Sequence, residues 1–388
     1  MEKKRGKHFV WREYRISTSF SLIILCSLVL AWAFAAPIYS LSGTEAQDDA
    51  PLSADSTLVT TGIWISRAEI MRRPTSGPAW AQVKDVADSP AGTPNLSDQD
   101  DDTNVKVLAK ALAFVRTNQA QYRTGVVDAL KVVTYDNTEN GGQTLALGRE
   151  LAAYVIAADL IDLATYDSSL DADFRVKIRD LLTKTLDGKT LVSTHEERPN
   201  NWGTHAGASR AAVAAYLGDT AELARTAQVF RGWVGDRTAY SGFSYGDSSW
   251  QCNPSEPVGI NPKGCMKDGH SIDGALPEEM RRGGDFRWPP APTGYAWEGL
   301  QGAIVQAEIL HRAGYDTWNW EDKALLRAVE FLESIGWSAD GDDRWQIWLI
   351  NYSYGTSFTA GAPVSAGKNM GWTDWSHSGG LVLLPLVR

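Results

Sequence analysis

Apolar residues recur at helical spacing along most of the chain, and this pattern limits the possible folds more than any other feature. Val105, Leu108 and Leu112, for example, fall on one face of a helix. Strand patterning is limited to short candidates such as residues 345–352. Helices joined by short connections pack most simply as antiparallel pairs, so the sequence predicts a mainly α fold with the long loop 241–293 over one end. The predicted helices cover residues 105–115, 122–133, 147–158, 176–186, 206–217, 221–233, 295–313 and 323–335.

The N-terminus has the layout of a secretory signal peptide. A basic start is followed by an apolar run over residues 20–36 and by the small-residue triplet 33–35. We therefore expect a cleaved signal over residues 1–35, a linker over 36–60 and a secreted protein without stable membrane association. The alternative is an uncleaved membrane anchor, because the run approaches the roughly 20 residues that span a bilayer.

Two cysteines remain after the predicted cleavage, which removes Cys26. Cys252 and Cys265 enclose a segment rich in Pro, Gly and Asn. In an oxidising compartment this arrangement predicts a disulfide that clamps a loop. A metal site is the weaker alternative, because the spacing matches no common zinc pattern and only His270 is near in sequence. We expect no metal and no cofactor.

The charge balance argues against nucleic acid as a partner. The sequence has 37 Lys and Arg against 47 Asp and Glu, a net charge of -10, so it has no broad positive field. Positive charge is instead local, at Arg281, Arg282 and Arg287, which precede Tyr295 at the start of a predicted helix. An arginine close to a tyrosine hydroxyl favours the phenolate. Alternatively, these arginines form ion pairs on a surface loop with the nearby acidic residues Glu278, Glu279 and Asp285.

A second polar segment, residues 196–210, enters a helix of small residues. Asn200, Asn201 and His205 lie where that helix is expected to begin. Helix N-termini present free N–H groups and a positive dipole end, so these side chains would form a receptor for a carboxylate. The alternative is ordinary N-capping beside a histidine buried in the core.

The sequence contains 16 Trp and 13 Tyr, and many of the tryptophans are predicted to lie in loops. Flat indole faces in a cleft are suited to stacking on sugar rings. Alternatively, these residues fix loops to the ends of helices. As a set they favour a carbohydrate ligand; the set is Trp202, Trp250, Trp288, Trp345, Trp348, Trp372 and Trp375.

The order of these motifs resembles the alginate-lyase-like polysaccharide lyases, whose fold is an α/α toroid (an incomplete α/α barrel) of antiparallel helix hairpins. Asn-Asn followed by His, Leu-Pro-Glu-Glu-Met-Arg-Arg at 276–282, and an arginine and a tyrosine before an apolar helix carry the resemblance. The segments 62–66, 74–77 and 348–356 extend it, so it spans about residue 60 to the C-terminus and implies one lyase domain over 61–388.

The resemblance implies β-elimination on a polyuronate. Tyr295 would act as base and acid, Asn201 would bind the C5 carboxylate with help from His205, and Arg287 or Arg282 would support the charge. Further substrate-binding residues would be Asn200, Trp202, Arg281, Trp288 and Glu298. The Pro-rich residues 288–294 replace the His-Asn pair of mannuronate lyases, so glucuronan stands beside mannuronate-rich alginate as an expected substrate.

Two other functions remain open on the sequence. A glycoside hydrolase on a similar helical toroid would pair Glu278 or Glu279 with Glu298 as acid and base. A non-catalytic polysaccharide-binding protein would need only the aromatic and basic residues. The P-loop motif is absent from the sequence. We expect a monomer.

Overall fold

The computed structural model describes residues 62–379. The predicted signal peptide over 1–35 and the linker over 36–60 lie outside these residues. Within 62–379 the chain forms fifteen α-helices, and two short strands pair antiparallel through Met266 opposite Ser271. The helices are α1 (Arg67–Met71), α2 (Pro78–Asp88), α3 (Thr103–Thr117), α4 (Ala120–Tyr135), α5 (Thr144–Leu160), α6 (Leu163–Tyr166), α7 (Ser168–Thr183), α8 (Leu191–Glu197), α9 (Asn201–Leu217), α10 (Thr220–Val234), α11 (Pro277–Met280), α12 (Tyr295–Arg312), α13 (Trp320–Ser334), α14 (Trp345–Tyr354) and α15 (Thr373–Ser376), and the strands are β1 (Met266–Lys267) and β2 (His270–Ser271).

The eight helices predicted from apolar spacing are confirmed, with shifted ends. The helix predicted over 206–217 begins five residues earlier, at Asn201, because Asn200 caps it and its first turn consists of residues that pack closely. Its C-terminal end coincides with the prediction, since Gly218 adopts the left-handed conformation (φ 66°) that terminates a helix. The mainly helical structure is consistent with the α/α-toroid-like fold that the resemblance implies.

Helix α9 lies at the centre of the packing, where it contacts α5 and α12 more extensively than any other helices. Glycines make this close approach feasible. A Cβ atom at Gly148 of α5 would lie 2.9 Å from the backbone nitrogen of Ala206. A Cβ atom at Gly302 of α12 would lie 2.7 Å from the carbonyl oxygen of Thr204 and closer still to the nitrogen of His205. The N-terminal half of α9 is therefore held between two helices at backbone contact distance.

The strand predicted over residues 345–352 is wrong, because this segment forms α14. Its apolar residues are nearly continuous, and such a run does not distinguish a buried strand from a buried helix. Trp345, Ile347, Leu349 and Ile350 are all buried. Gly355 ends the helix in the left-handed conformation (φ 68°), which is a helix C-terminal signal.

The loop predicted over 241–293 contains β1, β2, α11 and the disulfide between Cys252 and Cys265, which is confirmed. The side chain of Asn261 stabilises the loop by donating to the carbonyl oxygens of Trp250 and Ile272 and accepting from the Cys252 N–H. No helix within residues 62–379 combines the length and the apolar character that a membrane span would need.

Candidate active site

The N-terminus of α9 brings the predicted asparagines together. Asn200 is the capping residue, and its side-chain oxygen accepts from the Trp202 N–H at 3.2 Å. The side-chain oxygen of Asn201 accepts from the same N–H at 3.0 Å. Asn200 is partly exposed, whereas Asn201 is only 2% exposed. The capping role, which was the alternative interpretation, is present here, and the N–H groups of residues 201–204 all donate to acceptors within the protein.

His205 lies one turn further along α9 and is completely buried. Burial lowers its pKa to about 4, with the Arg149 cation acting in the same direction and Glu298 opposing both. The imidazole is therefore neutral at pH 7. Its Nε2 atom is 3.9 Å from a carboxylate oxygen of Glu298, beyond hydrogen-bonding distance. His205 is therefore neither exposed nor positively charged at pH 7, so it would not assist the substrate carboxylate as a cation.

Glu298 and Arg149 form a partly buried ion pair, in which the Glu298 side chain is 22% exposed. An Arg149 nitrogen lies 2.6 Å from a Glu298 carboxylate oxygen, and Arg149 also donates to the carbonyl oxygen of Gln99 at 3.1 Å. Burial raises the pKa of Glu298, but His205 and Arg149 lower it by more, so the carboxyl group is ionised. Sequence reasoning missed Arg149. The sequence feature that could have indicated this residue is a charged side chain within the mostly apolar stretch of α5. In the structure, Arg149 is only 5% exposed.

Tyr295 is the first residue of α12 and is 40% exposed. The guanidinium of Arg282 lies over its ring, 4.0 Å from the ring centroid. Of the two arginines predicted to support the tyrosine, Arg282 is therefore the one in contact with it. It lies on the ring face, whereas the sequence analysis placed an arginine near the hydroxyl. Arg287 is exposed, and Arg281 forms an ion pair with Glu278, as the alternative interpretation of the arginines predicted.

Two carboxyl groups near this region have raised pKa values. Burial raises the pKa of Glu279 to about 8, although the Asn201 N–H, which donates to it, lowers that value. Burial likewise raises the pKa of Asp343 to about 7, and the Gln301 side chain, which donates to Asp343 at 2.9 Å, opposes the shift. Sequence reasoning considered Glu279 as a hydrolase acid or base and as an ion-pair partner of the arginines, and it did not consider Asp343.

Most of the tryptophans predicted to line the cleft do not face solvent. Trp250, Trp345, Trp372 and Trp375 are at most 3% exposed, so they stabilise the packing, which was the alternative interpretation. Trp202, Trp345, Trp348 and Trp375 lie in helices and not in loops as predicted.

Trp288 is 39% exposed and stacks on the His270 ring, with centroids 4.4 Å apart and planes 9° from parallel. Trp202 is partly exposed and lies under the guanidinium of Arg198, at 4.3 Å from the ring centroid. Trp288 and Trp202 thus remain candidates for contact with a sugar.

A cavity of about 230 Å³ beside the disulfide, lined by Arg237, Lys263 and Arg327, includes none of the predicted catalytic residues. Within residues 62–379, no group of three or more His, Cys, Asp or Glu side chains is arranged to hold a metal ion.

A comparison with known families bears on the classes of protein left open by this geometry. Residues 90–243 match the alginate lyase family model. This match supports an alginate-lyase-like family, which implies a polysaccharide lyase acting on an acidic polysaccharide. No curated protein matches the chain. The matched segment includes Arg149, Asn200, Asn201 and His205 but ends before Arg282 and Tyr295.

Proposed function

We propose that this protein is a secreted, monomeric polysaccharide lyase that cleaves a 1,4-linked polyuronate by β-elimination, with mannuronate-rich alginate or glucuronan as substrate. The observation that carries the proposal is the exposed Tyr295 beside Arg282 at the start of α12. One turn along α12, a Cβ atom at Gly299 would lie 3.2 Å from Glu279, whose carboxylate accepts from the Asn201 N–H. An accessible acid–base group thus lies near the donors of the α9 terminus.

The α9 terminus would bind the C5 carboxylate of the substrate. The side-chain oxygens of Asn200 and Asn201 already accept from the Trp202 N–H, so their NH₂ groups are left to donate. Asn200 is partly exposed and would reach the ligand directly, whereas Asn201 is 2% exposed and would do so only if the site opens on binding. Arg282 and Arg287 are exposed and would supply positive charge. Loss of the C5 proton creates a second negative charge beside the carboxylate, and each well-aimed donor lowers that barrier by about 3–4 kcal/mol.

Tyr295 would transfer the proton in both steps. Its phenolate oxygen takes the C5 proton, the C5–H electron pair forms the C4=C5 double bond, and the C4–O bond breaks. Tyr295 then returns the proton to the leaving oxygen. One residue serves both steps only when the proton and the leaving group lie on the same face of the sugar, which fits mannuronate or glucuronate linkages. Trp202, Trp288 and Arg281 would contact neighbouring sugars, and Glu298 would act from behind the site.

A glycoside hydrolase is less well supported by the geometry. Glu278 and Glu279, its proposed acid or base, are 3% and 1% exposed. Glu278 is also paired with Arg281. A general acid must reach the glycosidic oxygen within about 3 Å, and neither carboxyl group is accessible to a polymer. A non-catalytic binding protein would leave the pairing of Tyr295 with Arg282 without a function.

The test is absorbance at 235 nm, where the unsaturated product absorbs, with polymannuronate, polyguluronate, glucuronan and polygalacturonate supplied separately. We expect a rise with polymannuronate or glucuronan that is lost in Tyr295→Phe. Tyr166→Phe is the matched control, because Tyr166 is 45% exposed and also lies under an arginine, Arg123, at 3.8 Å. New reducing ends without absorbance at 235 nm would refute the lyase proposal in favour of a hydrolase. A fully active Tyr295→Phe variant would refute the role of Tyr295.

A further inference from the structure

We propose that Glu279 is a positioning residue that joins the N-terminus of α9 to the first turn of α12, and that its ionisation prevents the substrate carboxylate from binding. This inference rests on the proposed function. It concerns a residue that does not touch the substrate, because Glu279 is only 1% exposed. The inference explains how this site could bind a polyanion, and it predicts that binding weakens at alkaline pH.

The geometry places one carboxyl group between the two helices that carry the candidate site. One oxygen of Glu279 accepts from the Asn201 N–H at the start of α9. On its other side, Glu279 packs against Gly299, where a Cβ atom would lie 3.2 Å from both its Cγ atom and the same carboxylate oxygen. Gly299 follows Tyr295 by four residues, about 6 Å along the helix axis. Glu279 therefore fixes the distance between the asparagines and the tyrosine.

The second oxygen of Glu279 is buried and has no hydrogen-bond partner within residues 62–379. A proton on this oxygen removes the cost of burying an unpaired negative charge. Burial raises the pKa of the group to about 8. The Asn201 N–H and Arg282 oppose this shift, while Glu278 and Glu298 reinforce it. Glu279 is therefore neutral at pH 7 and ionises in mildly alkaline solution.

The charged groups around Glu279 come from three elements. From α9 it faces the N–H groups of the helix terminus, while His205 of that helix faces Glu298. The second element is α11 together with the helical turn that follows it, and its charged residues are Glu278, Arg281 and Arg282. The third is α12, which contributes Glu298. Glu278 is paired with Arg281 and Glu298 with Arg149. Ionised Glu279 thus adds a negative charge beside the donors that the substrate carboxylate would use, and this charge offsets the attraction of Arg282 for that carboxylate.

Two variants separate the positioning role from the charge. Glu279→Gln keeps an oxygen that accepts from the Asn201 N–H but never ionises, whereas Glu279→Leu removes the acceptor. Glu150→Gln is the matched control, because Glu150 is fully buried and both of its carboxyl oxygens also lack a partner in the described part of the chain.

The first readout is KM and kcat for the polyuronate that the wild type cleaves, between pH 6 and 9.5. With a pKa near 8, the wild-type KM rises about 10-fold between pH 7 and pH 9 while kcat changes little. We expect Glu279→Gln to lose this rise, Glu150→Gln to retain it, and Glu279→Leu to raise KM at every pH. An alkaline rise in Glu279→Gln equal to that of the wild type would overturn the proposal.

The second readout does not depend on activity. The folded protein holds a proton on Glu279 up to pH 8, whereas the unfolded chain loses it near pH 4.5. Stability from this group is therefore complete below pH 4.5 and falls as the pH rises to 8. We expect the melting temperature of Glu279→Gln to fall less than that of the wild type between pH 5 and 8.5. Equal pH dependence would overturn the inference about Glu279, whereas failure of every uronan to react would instead overturn the proposed function.

Discussion

The substitution Gly302→Ala tests whether the close contact of α9 and α12 shapes the candidate site. A Cβ atom at this position would lie 2.7 Å from the carbonyl oxygen of Thr204 and closer to the nitrogen of His205. Ordinary contact needs about 3.5 Å, and both neighbours are backbone atoms that cannot rotate away. The helices must therefore separate by about 1 Å, and the distance between His205 and Glu298 changes with them.

Overpacking of this kind costs about 3–4 kcal/mol at a rigid contact, somewhat above the usual range. The better helix propensity of alanine returns up to about 1 kcal/mol. The net loss of about 2–3 kcal/mol corresponds to a fall in melting temperature of about 3–5 °C for a domain of this size. Because a displacement of 1 Å costs about 100-fold in rate, we expect kcat to fall by that order while the protein remains folded.

The assay combines thermal unfolding, followed by circular dichroism, with the rate of absorbance increase at 235 nm on the preferred uronan. Gly294→Ala is the control for stability, since nothing lies within 4 Å of a Cβ atom there and its φ of −76° suits alanine. We expect its melting temperature to stay within about 1 °C of the wild type. A Gly302→Ala protein with wild-type stability and rate would refute the argument that this glycine sets the geometry of the site.

Two further predictions concern stability. Arg149→Met leaves the partly exposed Glu298 carboxylate without its cation, so the free energy of unfolding at pH 7 should fall by about 1–3 kcal/mol. The deficit should shrink at pH 5 as Glu298 takes up a proton, and chemical denaturation that gives the same deficit at both pH values would contradict this. Replacement of Cys252 and Cys265 by serine removes a covalent cross-link between residues that are 13 positions apart. The free energy of unfolding should fall by about 3 kcal/mol in the chain-entropy model. An unchanged denaturation midpoint in the serine variant would contradict a stabilising role for the disulfide.

The helical fold was predictable because helix periodicity is a local property of the sequence. The apolar stripes of α3, α4 and α5 lie within single segments, and Gly218 marks the end of α9. The prediction failed where the local pattern is ambiguous, as in α14, whose nearly continuous apolar run suits a buried strand as well as a helix. Helices shorter than two turns, such as α8 and α11, contain too few residues to display a period.

The candidate site was predictable only in part, because its chemistry depends on contacts between distant segments. The position of Asn201 at a helix start and of Tyr295 at another could be inferred from neighbouring residues. The partner of Glu298 could not, since Arg149 lies 149 positions away in the sequence. The burial of Glu279 and of most tryptophans likewise follows from how the helices pack. Composition indicates which side chains are present but does not indicate which of them reach solvent.

The structure also explains how a protein with a net charge of -10 could accept a polyanion. Four buried or partly buried carboxyl groups lie close to the candidate site, and their negative charge at pH 7 is either reduced by protonation or balanced by an arginine. Burial raises the pKa values of Glu279 and Asp343 to about 8 and about 7, so Glu279 is neutral and Asp343 is about half protonated. Arg149 balances Glu298, and Arg281 balances Glu278.

Positive groups then remain at the site. They are the exposed Arg282 and Arg287 and the positive dipole end of α9. In water, unlike charges 4 Å apart attract by only about 1 kcal/mol, but near a protein surface the attraction rises to about 4 kcal/mol. A local excess of positive charge therefore outweighs the more distant and screened negative surface. Because ionised Glu279 would offset part of this positive charge, the capacity to bind a polyuronate and the packing of α11 against α9 and α12 depend on the same buried carboxyl group.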